Sequence, residues 1–189
     1  MPHLIVRLDR VECADTETIT GADKFYLMGA CWVGTKEENR TKSILTPPVS
    51  IQNGQTRHFG NNALIFDDEV DEDDTLVLTF AGYDRDGDNF ATNATDMQKK
   101  LAEGVATAIH YLPFKAAPQV SEVLSYAVKY GGGMIKAFDK DDKLGELKLD
   151  TPVKDIGVDD YRMVHWYEGG LGWSTWDYKV HYQLHYTDY

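Results

Sequence analysis

Thr75-Leu76-Val77-Leu78-Thr79-Phe80-Ala81-Gly82-Tyr83-Asp84-Arg85-Asp86-Gly87-Asp88-Asn89 is an apolar run that turns into an acidic loop. Leu76, Leu78 and Phe80 alternate, so residues 75–81 are expected to be a strand with those three side chains on one face. The loop after it places Asp84, Asp86 and Asp88 at alternate positions. A second loop has the same character: Phe138-Asp139-Lys140-Asp141-Asp142-Lys143-Leu144-Gly145. Carboxylates packed this densely repel one another. Hard cations such as Ca²⁺ take six to eight oxygen ligands, largely from Asp and Glu. Asp84, Asp86, Asp88, Asp139, Asp141 and Asp142 are therefore candidate metal ligands. The bland alternative is turn chemistry, because Asp, Asn and Gly bond their own backbone and tolerate positive φ.

Working outward, strands dominate both ends of the chain. Leu4, Val6 and Leu8 alternate with Ile5, Arg7 and Asp9. Phe25 to Val33 is a continuous aromatic and aliphatic run, which suits a buried strand. Tyr178, Val180, Tyr182, Leu184 and Tyr186 alternate with Lys179, His181, Gln183 and His185. Met163 to Tyr167 is expected to pair with that last strand across the Gly-rich stretch 168–175. The centre reads differently. Thr95-x-x-Gln98 has the form of a capping box. Met97, Leu101, Val105, Ala108 and Leu112 follow at helical spacing, and Pro113 closes the run. A second helix is expected from Val120 or Ser121, with Leu124, Ala127 and Val128 inward, until Gly131-Gly132-Gly133 interrupts it. Strands at both ends and helices only between them predict a mainly β chain. It is an antiparallel β-sandwich with a two-helix insertion at about residues 93–137.

Glu17 and Asp23 lie six apart, and the strand Lys24-Phe25-Tyr26-Leu27 follows at once. That spacing resembles the first acidic loop of calcium-binding C2 domains. The C2 third loop has an Asp-x-Asp pair after an apolar strand, then a third Asp. Here Asp84-x-Asp86 is similar to the pair, and Asp142-Lys143-Leu144-Gly145 to the remainder. The resemblance covers about half of the chain by its short motifs. It departs from the family at Glu17, at Gly21-Ala22-Asp23, and in the helical insertion that splits the third loop. The resemblance implies a single C2-like domain over 1–189, with residues 1–92 and 138–189 as sandwich. It implies Ca²⁺ as cofactor, with Glu17, Asp23, Asp84, Asp86 and Asp142 as ligands. It also implies a lipid or protein partner. The rival calcium motif is an EF-hand beginning at Asp84. It fails at Asn89, where Gly is needed, and at Thr95, where Glu is needed.

The net charge of −12 argues against nucleic acid, whose phosphates need a basic surface. No stretch approaches the roughly 20 apolar residues of a membrane helix. The N-terminus becomes charged too soon for a secretory signal, so a soluble chain is expected, with either side of the membrane open. Cys13 and Cys31 lie in apolar strand segments and are expected as buried free thiols, with a disulfide between neighbouring strands the alternative in an exported protein. His181 and His185 share a strand face but sit about 13 Å apart at strand rise, too far to grip one ion. No Gly-x-Ser-x-Gly and no phosphate-binding Gly-rich loop with its Lys occurs. Asp67 to Asp74 reads as a solvated turn or a second cation site. Trp166, Tyr167, Trp173 and Trp176 read as hairpin aromatics, with Trp173 the candidate for exposure. Three functions stay open: a non-enzymatic Ca²⁺-binding or adhesion module, a structural or toxin-associated sandwich stabilised by Ca²⁺, and a hydrolase using an acidic cleft.

Overall fold

Two kinds of strand pattern in the sequence correspond to two differently covered sheets in the computed structural model. It describes residues 2–16, 21–35, 39–60, 63–85, 90–110, 119–126, 142–169 and 175–188. In chain order the elements are β1 (His3–Asp15), β2 (Asp23–Gly34), β3 (Asn39–Leu45), β4 (Val49–Ile51), β5 (Gln55–His58), β6 (Leu64–Glu69), β7 (Thr75–Asp84), α1 (Phe90–His110), helical residues 119–126 (α2), β8 (Asp142–Pro152), β9 (Asp160–Glu168) and β10 (Trp176–Thr187). One sheet runs β5-β1-β10-β9, with β6 also on β1; the other runs β3-β2-β7-β8, with β4 on β2. All pairs are antiparallel. The chain is an antiparallel β-sandwich with a helical insertion between β7 and β8.

The inward faces follow from alternation. β10 turns Tyr178, Val180, Tyr182 and Leu184 into the sandwich. β1 turns in Leu4, Val6 and Leu8, then Val11 and Cys13. The change from even to odd positions is made by a register shift between Leu8 and Arg10, where one extra residue is absorbed. Sheet two contributes Phe25, Leu27, Cys31, Val33, Leu76, Leu78 and Phe80 to the same core.

β2 and β7 are buried on both faces, and the insertion is the reason. Leu101, Val105 and Ile109 of α1, with Val120 and Leu124 of α2, pack on the outer side of sheet two. They cover Tyr26, Met28, Ala30, Trp32, Val77 and Ala81 there. A strand covered on both sides reads as a continuous apolar run, which is why residues 25–33 do not alternate. β10 has solvent on one side and does alternate.

The helix begins earlier than its capping box suggests. α1 starts at Phe90, so Thr95 and Gln98 lie inside it, both exposed. The helical spacing outweighs the local cap signal. Strands likewise outlast their expected ends, with β7 continuing through Tyr83 to Asp84 because it stays paired with β2 and β8. Ala127, Val128, the glycines 131–133, Leu112 and Pro113 lie outside the described residues.

Candidate metal centre

Three acidic residues from separate parts of the chain reach one end of sheet two. β2 begins at Asp23, β7 ends at Asp84 and β8 begins at Asp142. These are neighbouring strands in the order β2-β7-β8. The register sets Phe25 opposite Asp84, and Asp84 opposite Asp142. Asp23 continues the inward row of Phe25 and Leu27, and Asp84 that of Leu78 and Phe80. Both are buried, at 1% and 6% exposure, whereas Asp142 is exposed. Asp84 and Asp142 were expected in loops; strand pairing holds both at the ends of the ladder.

The buried carboxylates are held by specific donors. The Tyr178 hydroxyl on β10 donates to Asp23 Oδ2 at 2.5 Å, across the sandwich. The Lys24 backbone N–H donates to Asp84 Oδ1 at 2.8 Å. Burial, with the Asp23 carboxylate beside it, pushes the Tyr178 phenol far above its usual range. Cys13, opposite Tyr178 in the β1–β10 pair, is pushed up to about 11, chiefly by burial. Cys31 is pushed up to about 12 by burial. Both thiols are free and buried, and neither has the lowered pKa of a nucleophile.

Sheet one brings its own carboxylates to the same end, and sequence reasoning did not nominate them. Asp15 closes β1 and stands opposite Asp177, near the start of β10. Asp15 accepts from Asn53 Nδ2 at 3.1 Å and from the Thr175 hydroxyl at 2.8 Å. Asn53 Oδ1 in turn accepts from the Thr16 N–H at 2.8 Å and hydroxyl at 2.7 Å. His165 Nε2 lies 2.8 Å from Asp177 Oδ1. A strand ending in Asp two residues after an inward Cys was the available signal. It is no stronger than that of any exposed acidic strand end.

The floor beneath this end is closed by one indole. Gly82 and Gly145 face each other across β7 and β8. A Cβ on Gly145 would lie 2.2 Å from Trp166 Cγ, and one on Gly82 would lie 2.5 Å from Trp166 Cζ3. Trp166 is buried, and its Nε1 donates to the Glu146 carbonyl at 3.2 Å. The hairpin reading of that tryptophan therefore holds, while Trp173 lies outside the described residues.

Asp23, Asp84 and Asp142 are the sequence-nominated ligands that the described residues include. Glu17, Asp86, Asp88, Asp139 and Asp141 lie outside them. Among the described residues, no three His, Cys, Asp or Glu side chains form a metal-holding group. A carboxylate has about four lone-pair sites, so the hydrogen bonds on Asp23 and Asp84 are compatible with a cation on the same groups. Part of the acidic run 67–74 is answered within the protein. Arg40 Nη2 lies 3.3 Å from Asp74, which is buried, and His3 Nε2 lies 3.0 Å from Asp67. That run lies at the other end of the sandwich, where β7 begins.

No family model matches the chain, and no curated protein matches it in sequence. Among solved structures it is similar to a C2 domain of a plant extended synaptotagmin 1, at 10% identity over 99% of this chain and 95% of that chain, with a TM-score of 0.37. It is similar to human GIVD cytosolic phospholipase A2 in complex with methyl gamma-linolenyl fluorophosphonate, at 8% identity and a TM-score of 0.39. That match spans 100% of this chain but 17% of the phospholipase. A further C2 domain is similar at 11% identity over 100% of both chains, with a TM-score of 0.34. These likenesses say nothing about the acidic end. No described helix is long and apolar enough to cross a membrane.

Proposed function

We propose that this chain is a non-enzymatic Ca²⁺-binding module whose cation sits at the acidic end of sheet two. Asp23, Asp84 and Asp142 supply part of the ligand set. Glu17, Asp86, Asp88, Asp139 and Asp141 belong to the segments that flank them and complete it. The observation that supports this reading is the facing of Asp84 by Asp142. Like charges directly opposite in an antiparallel pair destabilise it, and a divalent cation between them removes that cost.

A bound Ca²⁺ would neutralise the acidic end and reverse its local charge, which suits an anionic lipid or an acidic protein surface. A second, structural reading is favoured by the bond from Tyr178 to Asp23. It ties the two sheets together at the acidic end, so a cation on Asp23 would also brace the sandwich. Melting the protein in millimolar Ca²⁺ and in chelator tests the metal, because an ion bound only by the folded state raises its stability. Equal melting temperatures, with no heat in titration calorimetry, would reject it. Co-sedimentation with phosphatidylserine vesicles, with and without Ca²⁺, separates the binding module from the brace. Ca²⁺-dependent pelleting supports the first, and a melting shift without pelleting supports the second.

A further inference from the structure

We propose that β9 is a pairing edge for a second copy of this chain, joined antiparallel about a two-fold axis at Val164. β9 is the last strand of its sheet, and among the described residues its backbone pairs with β10 alone. An edge strand presents unpaired N–H and C=O groups, and folded proteins ordinarily blunt such edges with brevity, charge, proline, bulges or cover.

The other described edges carry those devices. β5 has four residues and β4 has three. β6 ends in Asp67, Asp68 and Glu69. β3 carries Arg40 and Lys42, and α1 packs against it. β8 carries Lys143, Lys148 and Pro152, and its register is broken by a bulge opposite Gly82 and Tyr83. β9 has nine residues, no Lys and no Pro, and an unbroken register from Asp160 to Glu168. Its Asp160 and Arg162 neutralise each other at 2.7 Å.

The solvent side of β9 is apolar where a solvated edge is polar. Tyr161 and Tyr167 are each 68% exposed and Met163 is 48% exposed. His165 lies between them, its ring 5.2 Å from that of Tyr167. Directly opposite residues share a face in an antiparallel pair, so the order Tyr-Met-His-Tyr at alternate positions complements itself. With the axis at Val164, Tyr161 meets Tyr167 of the second copy, and Met163 meets its His165. Aromatic cross-strand pairs and sulfur–ring contacts are both favourable. On the other face Asp160 comes opposite Glu168 of the second copy, and Arg162 lies diagonal to that Glu168. The Asp160–Glu168 facing is a like-charge pair that works against this register, and Arg162 offsets it only in part, because it already pairs with its own Asp160.

The interface is small. A standard one uses about 20–30 residues a side, so this dimer is weak. The net charge of −12 on each copy repels across it. That repulsion is long-range and fades once the Debye length falls to about 8 Å near physiological salt. Association should therefore strengthen as salt is raised.

Sedimentation velocity on the whole chain, over about 1–300 µM protein in low and moderate NaCl, tests the proposal. A monomer–dimer equilibrium strengthened by salt is expected. Met163→Lys should weaken it at least about tenfold while leaving the circular dichroism unchanged, because Met163 is exposed. The register is tested by charge exchange. Tyr161→Glu and Tyr167→Lys should each weaken the dimer, and the double variant should associate more tightly than either. A monomer at every concentration overturns the proposal, as does a dimer indifferent to Met163→Lys or a double variant without rescue. A monomer that binds a synthetic peptide of residues 160–168 but not its own kind would mean that the edge takes a foreign strand, and overturns self-pairing equally.

Discussion

Asp84 and Asp142 face each other across the β7–β8 pair, and they are the two residues between which the helical insertion leaves and re-enters the sandwich. The insertion therefore leaves and returns at a register position that carries an Asp on each strand. Replacing one partner separates repulsion from ligation. Asp142→Asn keeps the shape and removes a charge, so in chelator the variant should melt about 1–3 °C above the parent. In Ca²⁺ the order should reverse, because the parent gains about 5–10 °C when the ion exceeds its Kd about 100-fold. Differential scanning calorimetry of both proteins in both buffers reads the crossing. Parallel curves would mean that no cation joins this pair.

The hydroxyl of Tyr178 is expected to matter to folding even without metal. Tyr178 is fully buried and its bond to Asp23 links the two sheets. Tyr178→Phe preserves the ring, including its stack on Phe25 at 5.2 Å, and removes one donor from a buried carboxylate. Loss of a partner by a buried polar group costs about 1–3 kcal/mol, more when it is charged. Urea unfolding should show a lower midpoint with an unchanged slope. An unaltered midpoint would mean that other donors or solvent take over Asp23.

Much of the fold was legible because period-two alternation survives wherever one face meets water. β10 and the first part of β1 were read directly from it, as was the pairing of β9 with β10. β2 was legible as buried, but the source of its outer cover was not, since a continuous apolar run does not name what lies on it. The start of α1 was missed because a capping box within a helix is the same four letters as one at its end. At the acidic end, Asp23, Asp84 and Asp142 were nominated from short spacings, and the strand order brings them to one side. Asp15, Asn53 and Asp177 were not. Their roles arise from long-range contacts, such as the bond from Thr175 to Asp15, that no local pattern encodes.

Acid should weaken the sandwich through Glu146 on β8 and Glu12 on β1. Burial pushes the Glu146 carboxyl up, but Lys143, bonded to it at 2.8 Å, together with Ser125 and Lys148 outweighs that and holds it below its usual range. Burial likewise acts upward on Glu12, and Arg10 and His181 outweigh it. A carboxyl with a lowered folded-state pKa contributes stability above its unfolded pKa, near 4.5 for both groups. The contribution is lost as pH falls through the lower folded value. Stability should therefore be flat from neutrality to about pH 5 from these two groups and decline below it. Glu146→Gln should flatten the decline. Chemical denaturation between about pH 3 and 7 makes the comparison. Identical profiles for parent and variant would exclude Glu146 as a source.

Trp166 gives the most direct check on the packing beneath the acidic end. Its indole occupies the space where side chains on both Gly82 and Gly145 would be. Neither glycine has a positive φ in the structure, so the requirement is for room and not for backbone freedom. A methyl group at Gly145 would meet indole atoms at 2.2 and 2.5 Å, so the ring must move. Moving it breaks the Nε1 bond to the Glu146 carbonyl and disturbs the edge-on contact with Phe80 at 6.1 Å. Overpacking of this kind costs about 1–3 kcal/mol, occasionally more. Gly145→Ala should lower the urea midpoint and shift tryptophan emission to the red as water reaches the indole. Pairing Gly145→Ala with Trp166→Phe, whose smaller ring leaves space, should recover part of the loss. If the double variant is no more stable than the additive expectation, the indole is not what the glycine makes room for.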